Sequence, residues 1–484
     1  MRILFLLSFG WFCLHMQCAT PKSKSAETVI NPNYELWWKE VAAFEADGLP
    51  KSASDKVYTI YNQAKTEKNE QELIKAIIHI AKYTAQLDAA GLKAALLFFE
   101  KEIGSNQGIA LAILQSLTAQ LYHQYFQMNI WQLRNRTYQP GGSGKPEDLD
   151  IWSGTDFIQR IRELYISSVS QPALREAAVN NYTSLLTEGK SSDTLRPTLF
   201  DILAHRALDY FLDSRSDLDL SAEDYTFIDP RLFAHTRQFL EIEKVYDSAD
   251  PSGYKQVIHL FQSLESFHQN DGLKAAWLDV VQKRLQYMYD HFTGSGKEML
   301  YEAALDQWIT LFPAQAAPFL LRKANLYLQL GSQYTPLGPD SIYRPYLVKS
   351  KEILLQIQSK FPSTTESIQA HNQLISLLNH QIHAEVEQVN VPSKPFRLMI
   401  EYRNTPVIYG RVVRITDEMR KEIWQHQQDR VLKILSDQTP VSIFNQAVPA
   451  TEDLQSHRTE VKADPLQPGF YALLLSDQSG FKAG

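Results

Sequence analysis

The sequence predicts a mainly α-helical protein, an α-solenoid of stacked helical hairpins followed by a partial antiparallel β-sandwich. Three observations predict it. Apolar residues recur at helical spacing from residue 34 to about 382. Near residue 385 the apolar period changes from about 3.6 residues to about 2. With 484 residues, 44% hydrophobic and 21% charged, the chain is globular in composition. It is also longer than a single core usually holds, about 250–300 residues.

The N-terminus reads as an export signal over residues 1–19. Arg2 is followed by a mostly apolar run from Ile3 to Met16, then by the polar stretch Thr20 to Glu27. That run is too short to span a membrane, and no later stretch reaches about 18 apolar residues. Two cleavage readings stay open. Cys18 is either the acylated first residue of a lipoprotein or is lost with a cut after Ala19; Gln17 before it, and His15 three before it, fit the lipoprotein pattern poorly.

Residues 28–382 form the expected helical repeat domain. Trp37, Val41 and Phe44 share a face, and Gly48-Leu49-Pro50 stops that helix and starts the next. Ala53, Val57, Ile60 and Ala64 form the next stripe. Leu73, Ala76, Ile77, Ile80 and Leu87 form a third, with Ile74, Ile78 and Ala85 on a second face of the same helix. Apolar residues on two faces place a helix between neighbours, as in an α-solenoid. An internal repeat supports this. Leu305, Trp308 and Phe312-Pro313 recur 49 positions later as Leu354, Ile357 and Phe361-Pro362. The partner helix follows, with Phe319, Leu326 and Leu328 against Ile368, Ile375 and Leu377. A helix ending in Phe-Pro before a second amphipathic helix is similar to the tetratricopeptide hairpin.

Residues 385–484 form the expected β-sandwich. Phe396, Leu398, Ile400 and Tyr402 alternate with charged residues. After a turn at Asn404-Thr405-Pro406, Val407, Tyr409, Val413 and Ile415 alternate with Arg411 and Arg414. A polar helix is expected over 417–437, then strands over 458–462 and 470–476. Four or five strands do not close a sandwich, so the chain is expected to be truncated, ending as it does at Gly484 soon after the last strand.

Composition excludes several function classes. Lys plus Arg total 48 against 55 Asp plus Glu, and a net charge of −7 argues against binding a nucleic-acid backbone. Two cysteines exclude a disulfide scaffold and a cysteine-rich zinc module. Gly141-Gly142-Ser143-Gly144-Lys145 is no phosphate loop, since Gln139 and Pro146 stand where Gly and Ser or Thr are needed. Asp217, Asp219 and Ser221 are no calcium loop, with Ala222 at the turn position and Ile228 at the twelfth. His380, His383 and Glu385 have a ligand-like spacing but read as boundary residues where helix gives way to strand. Trp37, Trp152 and Trp308 lie on or beside apolar stripes and read as core fillers. No catalytic constellation, cofactor motif or metal motif emerges, and the chain reads as no enzyme.

Several words spread along the chain together resemble one family. They are Trp38-Lys39-Glu40-Val41 with Gly48-Leu49-Pro50-Lys51-Ser52-Ala53; Arg136-Thr137; Asp150-Ile151-Trp152; and the run from Pro197 through Asp201 and His205 to Ala207. In the β part they are Tyr402-Arg403-Asn404, His457-Arg458-Thr459-Glu460 and Leu466-Gln467-Pro468-Gly469-Phe470-Tyr471. The pattern resembles the N-terminal region of alpha-2-macroglobulin family proteins of Bacteroidetes-type bacteria. The resemblance implies a helical region leading into a first macroglobulin-like domain, in an exported protein of the cell envelope. It also implies a full-length form that traps proteases when a bait segment is cut. Cys13 is followed by Leu14-His15-Met16 and Cys18 by Ala19-Thr20-Pro21, so neither begins the Cys-x-x-Gln thioester motif, and no bait segment can be placed. The partners implied are proteases for the full-length form and envelope proteins for the helical region, with no nucleic acid and with membrane contact only through a lipid at Cys18. The alternative is a glycan- or protein-binding surface lipoprotein on a tetratricopeptide-like scaffold.

Overall fold

The computed structural model describes residues 32–133, 136, 149–186, 192–213, 227–242, 253–270, 272, 274–335, 341–425, 428–449 and 451–481. Cys18, the two rejected loops at 141–145 and 217–222, and Thr137 lie outside them. Among the described residues the protein is mainly helical, with eighteen α-helices and six strands, the strands all following the last helical hairpin. The chain divides into two compact units, at Ser295 and Gly296.

The first unit contains α1 (Pro32–Ala46), α2 (Pro50–Glu67), α3 (Glu70–Leu87), α4 (Leu92–Ser105), α5 (Gly108–Met128) and the short α6 (Ile130–Leu133). Local chemistry sets their ends. Pro50 opens α2, and the Asn69 side chain caps α3 by accepting from the Glu72 N–H. Ala53, Val57, Ile60 and Ala64 are all fully buried against Val41, Ala76 and Ile80. Leu87, read as part of the α3 stripe, is instead half exposed at the helix end. Next come α7 (Gly154–Ser168), α8 (Ser192–Leu195), α9 (Leu199–Asp213), α10 (Thr236–Leu240), α11 (Tyr254–His268) and α12 (Lys274–His291). Ser153 and Asp156 form a reciprocal capping box at the start of α7. Trp152 is buried and stacks on Tyr122, and Arg136 Nη1 donates to its carbonyl at 3.0 Å.

One buried ion pair between α11 and α12 has its hydrogen-bonding positions filled. Arg284 and Glu265 are both fully closed from solvent at 2.5 Å. The guanidinium also donates to the Leu232 and Ala234 carbonyls, and Thr236 Oγ1 donates to the second Glu265 oxygen at 2.5 Å. A buried ion pair persists only when its remaining hydrogen-bonding positions are filled in this way.

The second unit begins with α13 (Lys297–Leu311), α14 (Ala317–Gly331), α15 (Tyr346–Lys360) and α16 (Thr365–Leu378). The 49-residue repeat superimposes α13 on α15 in sequence. Leu305, Trp308, Leu354 and Ile357 are all fully buried. The partner helices differ: Phe319 and Leu326 are buried in α14, whereas Ile368 and Ile375 stand exposed on α16. Gly331, the last residue of α14, leaves room for Leu347, whose Cδ2 would lie 2.5 Å from a Cβ placed there.

Six antiparallel strands follow: β1 (Gln381–Val386), β2 (Phe396–Arg403), β3 (Val407–Ile415), β4 (Pro440–Ala447), β5 (His457–Ala463) and β6 (Phe470–Ser476). They form two three-stranded sheets, ordered β1-β2-β5 and β4-β3-β6. The inner faces share one core of Leu398, Ile400, Tyr402, Ile408 and Val461, with Phe444, Leu473 and Leu475 packed against it. Gly410 lets the Phe444 ring lie across β3, where a Cβ would meet the ring at 2.0 Å. The polar helix expected over 417–437 is two helices, α17 (Asp417–Gln425) and α18 (Gln428–Ser436). Leu435, Val431, Met419 and Ile423 cover Val413 and Leu474 on the outer face of β3 and β6. β1 and β4 were not among the strands read from sequence.

Candidate functional site: a cleft beside the sheets

The words singled out in the sequence divide into caps, braces and one cleft. In the first unit, Thr198 and Asp201 form a capping box for α9. The Thr198 N–H and Oγ1 donate to Asp201 Oδ2 at 3.0 and 2.8 Å, and the Asp201 N–H donates back at 3.3 Å. Asp201 Oδ1 also meets His268 Nε2 at 2.6 Å, both side chains fully buried. Both carboxylate oxygens of Asp201 are thereby engaged, Oδ2 in capping α9 and Oδ1 in holding α9 to α11, which makes it structural. Of the boundary residues, His380 meets Asp477 at 2.7 Å, while His383 pairs across the strands with Glu401 and Glu385 lies exposed on β1. They do not converge, and among the described residues no group of three or more side chains could hold a metal.

In the second unit, Arg403 and Arg458, one from each of the words at 402–404 and 457–460, line a cleft of about 760 Å³. It lies between α14 and α16 on one side and β2 and β5 on the other. Its floor is apolar: Leu328 of α14, Leu347 of α15, Leu377 of α16 and Leu454 of the β4–β5 loop. Leu454 holds φ at +59°, a left-handed backbone that costs a bulky residue about 1 kcal/mol or more. The contacts of its buried side chain with Leu347 and Leu377 offset that cost.

Hydrogen bonds fix the loop that carries Leu454. Gln455 Nε2 donates to the Gly331 carbonyl at 3.1 Å and the Arg344 carbonyl at 3.3 Å. Asp453 accepts from Arg344 Nε at 2.8 Å and faces His457 Nε2 at 2.9 Å. Burial alone would raise the Asp453 carboxyl, yet the hydrogen bonds from His457 and Arg344 hold it below the usual carboxylate range.

The polar wall comes from strand register. Glu401 lies opposite His383 on one side and Arg458 on the other. It accepts from Ser456 Oγ at 2.8 Å and Arg458 Nε at 2.9 Å, and the Ser456 hydrogen bond is the main influence lowering its pKa. Arg403 differs, since no carboxylate faces it among the described residues. Its Nη2 donates to the Ser376 carbonyl at 3.2 Å, and its Nε is closed from solvent without a partner. Burial draws the Arg403 pKa down. Gln373, one turn before Ser376 on α16, gives its Nε2 to Asn325 at 2.8 Å and leaves Oε1 buried without a partner. Sequence reasoning named Arg403 and Arg458 only as words of a pattern, and it missed Gln373 and Leu454.

The cleft therefore pairs an apolar floor with a polar wall made by Glu401, Arg403 and Arg458. No family model, curated protein or solved structure matches the chain. Among the described residues no helix is long and apolar enough to cross a membrane.

Proposed function

We propose that this chain is a non-catalytic binding scaffold, the N-terminal part of an exported macroglobulin-like protein whose full-length form traps proteases at the cell envelope. In this reading α13–α16 are tetratricopeptide-like hairpins ending an α-solenoid, and the two sheets belong to the first macroglobulin-like domain. The carrying observation is the joining of two helical hairpins, repeated at a spacing of 49 residues, and a two-sheet module in one compact unit. Further support comes from the family-like words, which fall at caps, strand pairs and the cleft wall. Export through residues 1–19, with or without a lipid on Cys18, completes the proposal.

The test uses the full-length protein with several endoproteases. Steric trapping predicts that each keeps its activity on small substrates and loses it on large ones. Equal activity on both would sink the trapping function. The alternative, a glycan- or protein-binding surface lipoprotein, gains nothing from Trp152 and Trp308, which are buried in the core, while Trp131 stands exposed.

A further inference from the structure

The free edge of β4 carries an inference that goes beyond the scaffold reading and does not rest on it. We propose that two copies of this chain pair through β4, antiparallel and about a two-fold axis, joining their β4-β3-β6 sheets into one six-stranded sheet.

The argument starts from the sheet edges. Each sheet leaves two strands paired on one side alone, β1 and β5 in one, β4 and β6 in the other. The open side of a strand presents a row of N–H and C=O groups, a template for another strand, and charged side chains are a common way to blunt it. β1 carries His383 and Glu385, and β5 carries Arg458, Glu460 and Lys462. β4, which reads Pro-Val-Ser-Ile-Phe-Asn-Gln-Ala, carries no ionisable residue. β6 carries none either, but its Ala472 and Leu474 are packed beneath α17 and α18. On β4 the outward Val441 and Ile443 stay 52% and 66% exposed. Pro440 and the register shift beside Val412 and Val413 confine the irregularity to the start of β4, and Ser442 to Ala447 keep a regular register.

Self-complementarity selects a second copy as the occupant. A two-fold axis perpendicular to the sheet near Ile443 sets β4 antiparallel to itself and keeps each side chain on its own face. Val441 and Ile443 of both copies then meet on the outer face as cross-strand apolar neighbours. No charged side chain of β4 comes opposite another. A strand of unrelated sequence would match the backbone, but symmetry alone sets an apolar pair against this apolar pair. One strand pair covers less than the roughly 1,200 Å² at which stable interfaces begin, so the dimer is a weak one, with Kd of order 100 µM.

Sedimentation equilibrium of the 484-residue chain, from about 5 to about 500 µM, tests the inference. The unaltered protein should pass from monomer towards dimer across that range. Ile443→Lys sets two like charges near the axis and should raise Kd at least about tenfold. Ile375→Lys, at an exposed position on α16, should leave Kd unchanged. Hydrogen exchange at the two ends of the range adds a backbone readout. The amides of β4 should gain protection at the higher concentration, and those of β1 and β5 should not. A monomer throughout, a dimer unmoved by Ile443→Lys or equally disrupted by Ile375→Lys, or protection confined to another segment would overturn the proposal. If Ile443→Lys fails to fold, the exchange measurement on the unaltered protein still decides. Failure here leaves the protease-trap test untouched, since that test reads activity on large and small substrates.

Discussion

His79, on α3, shows how one partly buried side chain makes stability depend on pH. Its ring lies 4.8 Å from Trp38, and its Nδ1 is buried without a hydrogen-bond partner. Burial is the largest influence, pushing its pKa down to about 4; Glu45 of α1 opposes this, while Lys82 and Lys75 of α3 reinforce it. The folded protein thus takes up this proton near pH 4, whereas the unfolded chain does so near pH 6.5. Above about pH 6.5 the side chain is neutral in both states and imposes no penalty. As pH falls from there toward 4, only the unfolded state gains a proton, so stability drops by about 1.4 kcal/mol per unit, to a loss of order 3 kcal/mol. His205 acts in the same direction, lowered first by burial and then by Arg196, Lys283 and His268. Urea unfolding of His79→Gln at about pH 7.5 and 4.5 checks this. The variant should lose roughly 2–3 kcal/mol less across that interval than the unaltered protein. An identical loss in both would show that His79 does not carry the effect.

Elements are tied together by side chains at their ends, and the β2–β3 turn is the clearest case. Asn404 holds φ at +57°, and its Nδ2 donates to the Leu377 carbonyl at 2.9 Å and the Asn379 carbonyl at 3.2 Å, closing the end of α16. Two effects are superimposed here, backbone preference and hydrogen bonding. Asn404→Gly removes only the bonds and should cost about 1 kcal/mol, and Asn404→Ala also adds left-handed strain and should cost about 2 kcal/mol. Thermal unfolding should therefore rank Asn above Gly above Ala; a Gly variant no more stable than Ala would refute the backbone contribution. The hairpin helices were legible in the sequence because their stripes follow the helical period: Ala53, Val57, Ile60 and Ala64 are all at zero exposure. β2, β3, β5 and β6 were legible through alternation. β4 escaped because it is an edge strand whose Val441 and Ile443 point outward, reversing the usual pattern. β1 escaped because it follows α16 after only Asn379 and His380, so the helical period ran into it. The cleft had no local signal at all. Leu328, Gln373, Arg403 and Leu454 come from separate elements and converge only after folding.

At the scale of the whole molecule, the change from helix to strand and the division into compact units fall at different places. Helix ends at Leu378 and strand begins at Gln381, yet the units divide at Ser295 and Gly296. The physical reason lies in what the β module needs from α13–α16. Leu454 is buried against Leu347 and Leu377, Gln455 needs the Gly331 and Arg344 carbonyls, and Asn404 needs the end of α16. Cut away from those helices, Leu454 would keep its left-handed backbone while losing the burial that offsets it, a net loss of about 2–3 kcal/mol. Gln455 and Asn404 would lose their acceptors as well. A fragment of residues 296–484 is therefore expected to unfold in one cooperative transition with strand and helix signals lost together. A fragment of residues 385–484, which also lacks most of β1, is expected to unfold at least about 10 °C lower or not to fold, since even 1 kcal/mol shifts Tm by roughly 4–8 °C in a domain of that size. Circular dichroism melts of the two fragments compare them directly. Equal melting temperatures would show that the sheets stand without the helices, and that the cleft between them contributes nothing to holding the module together.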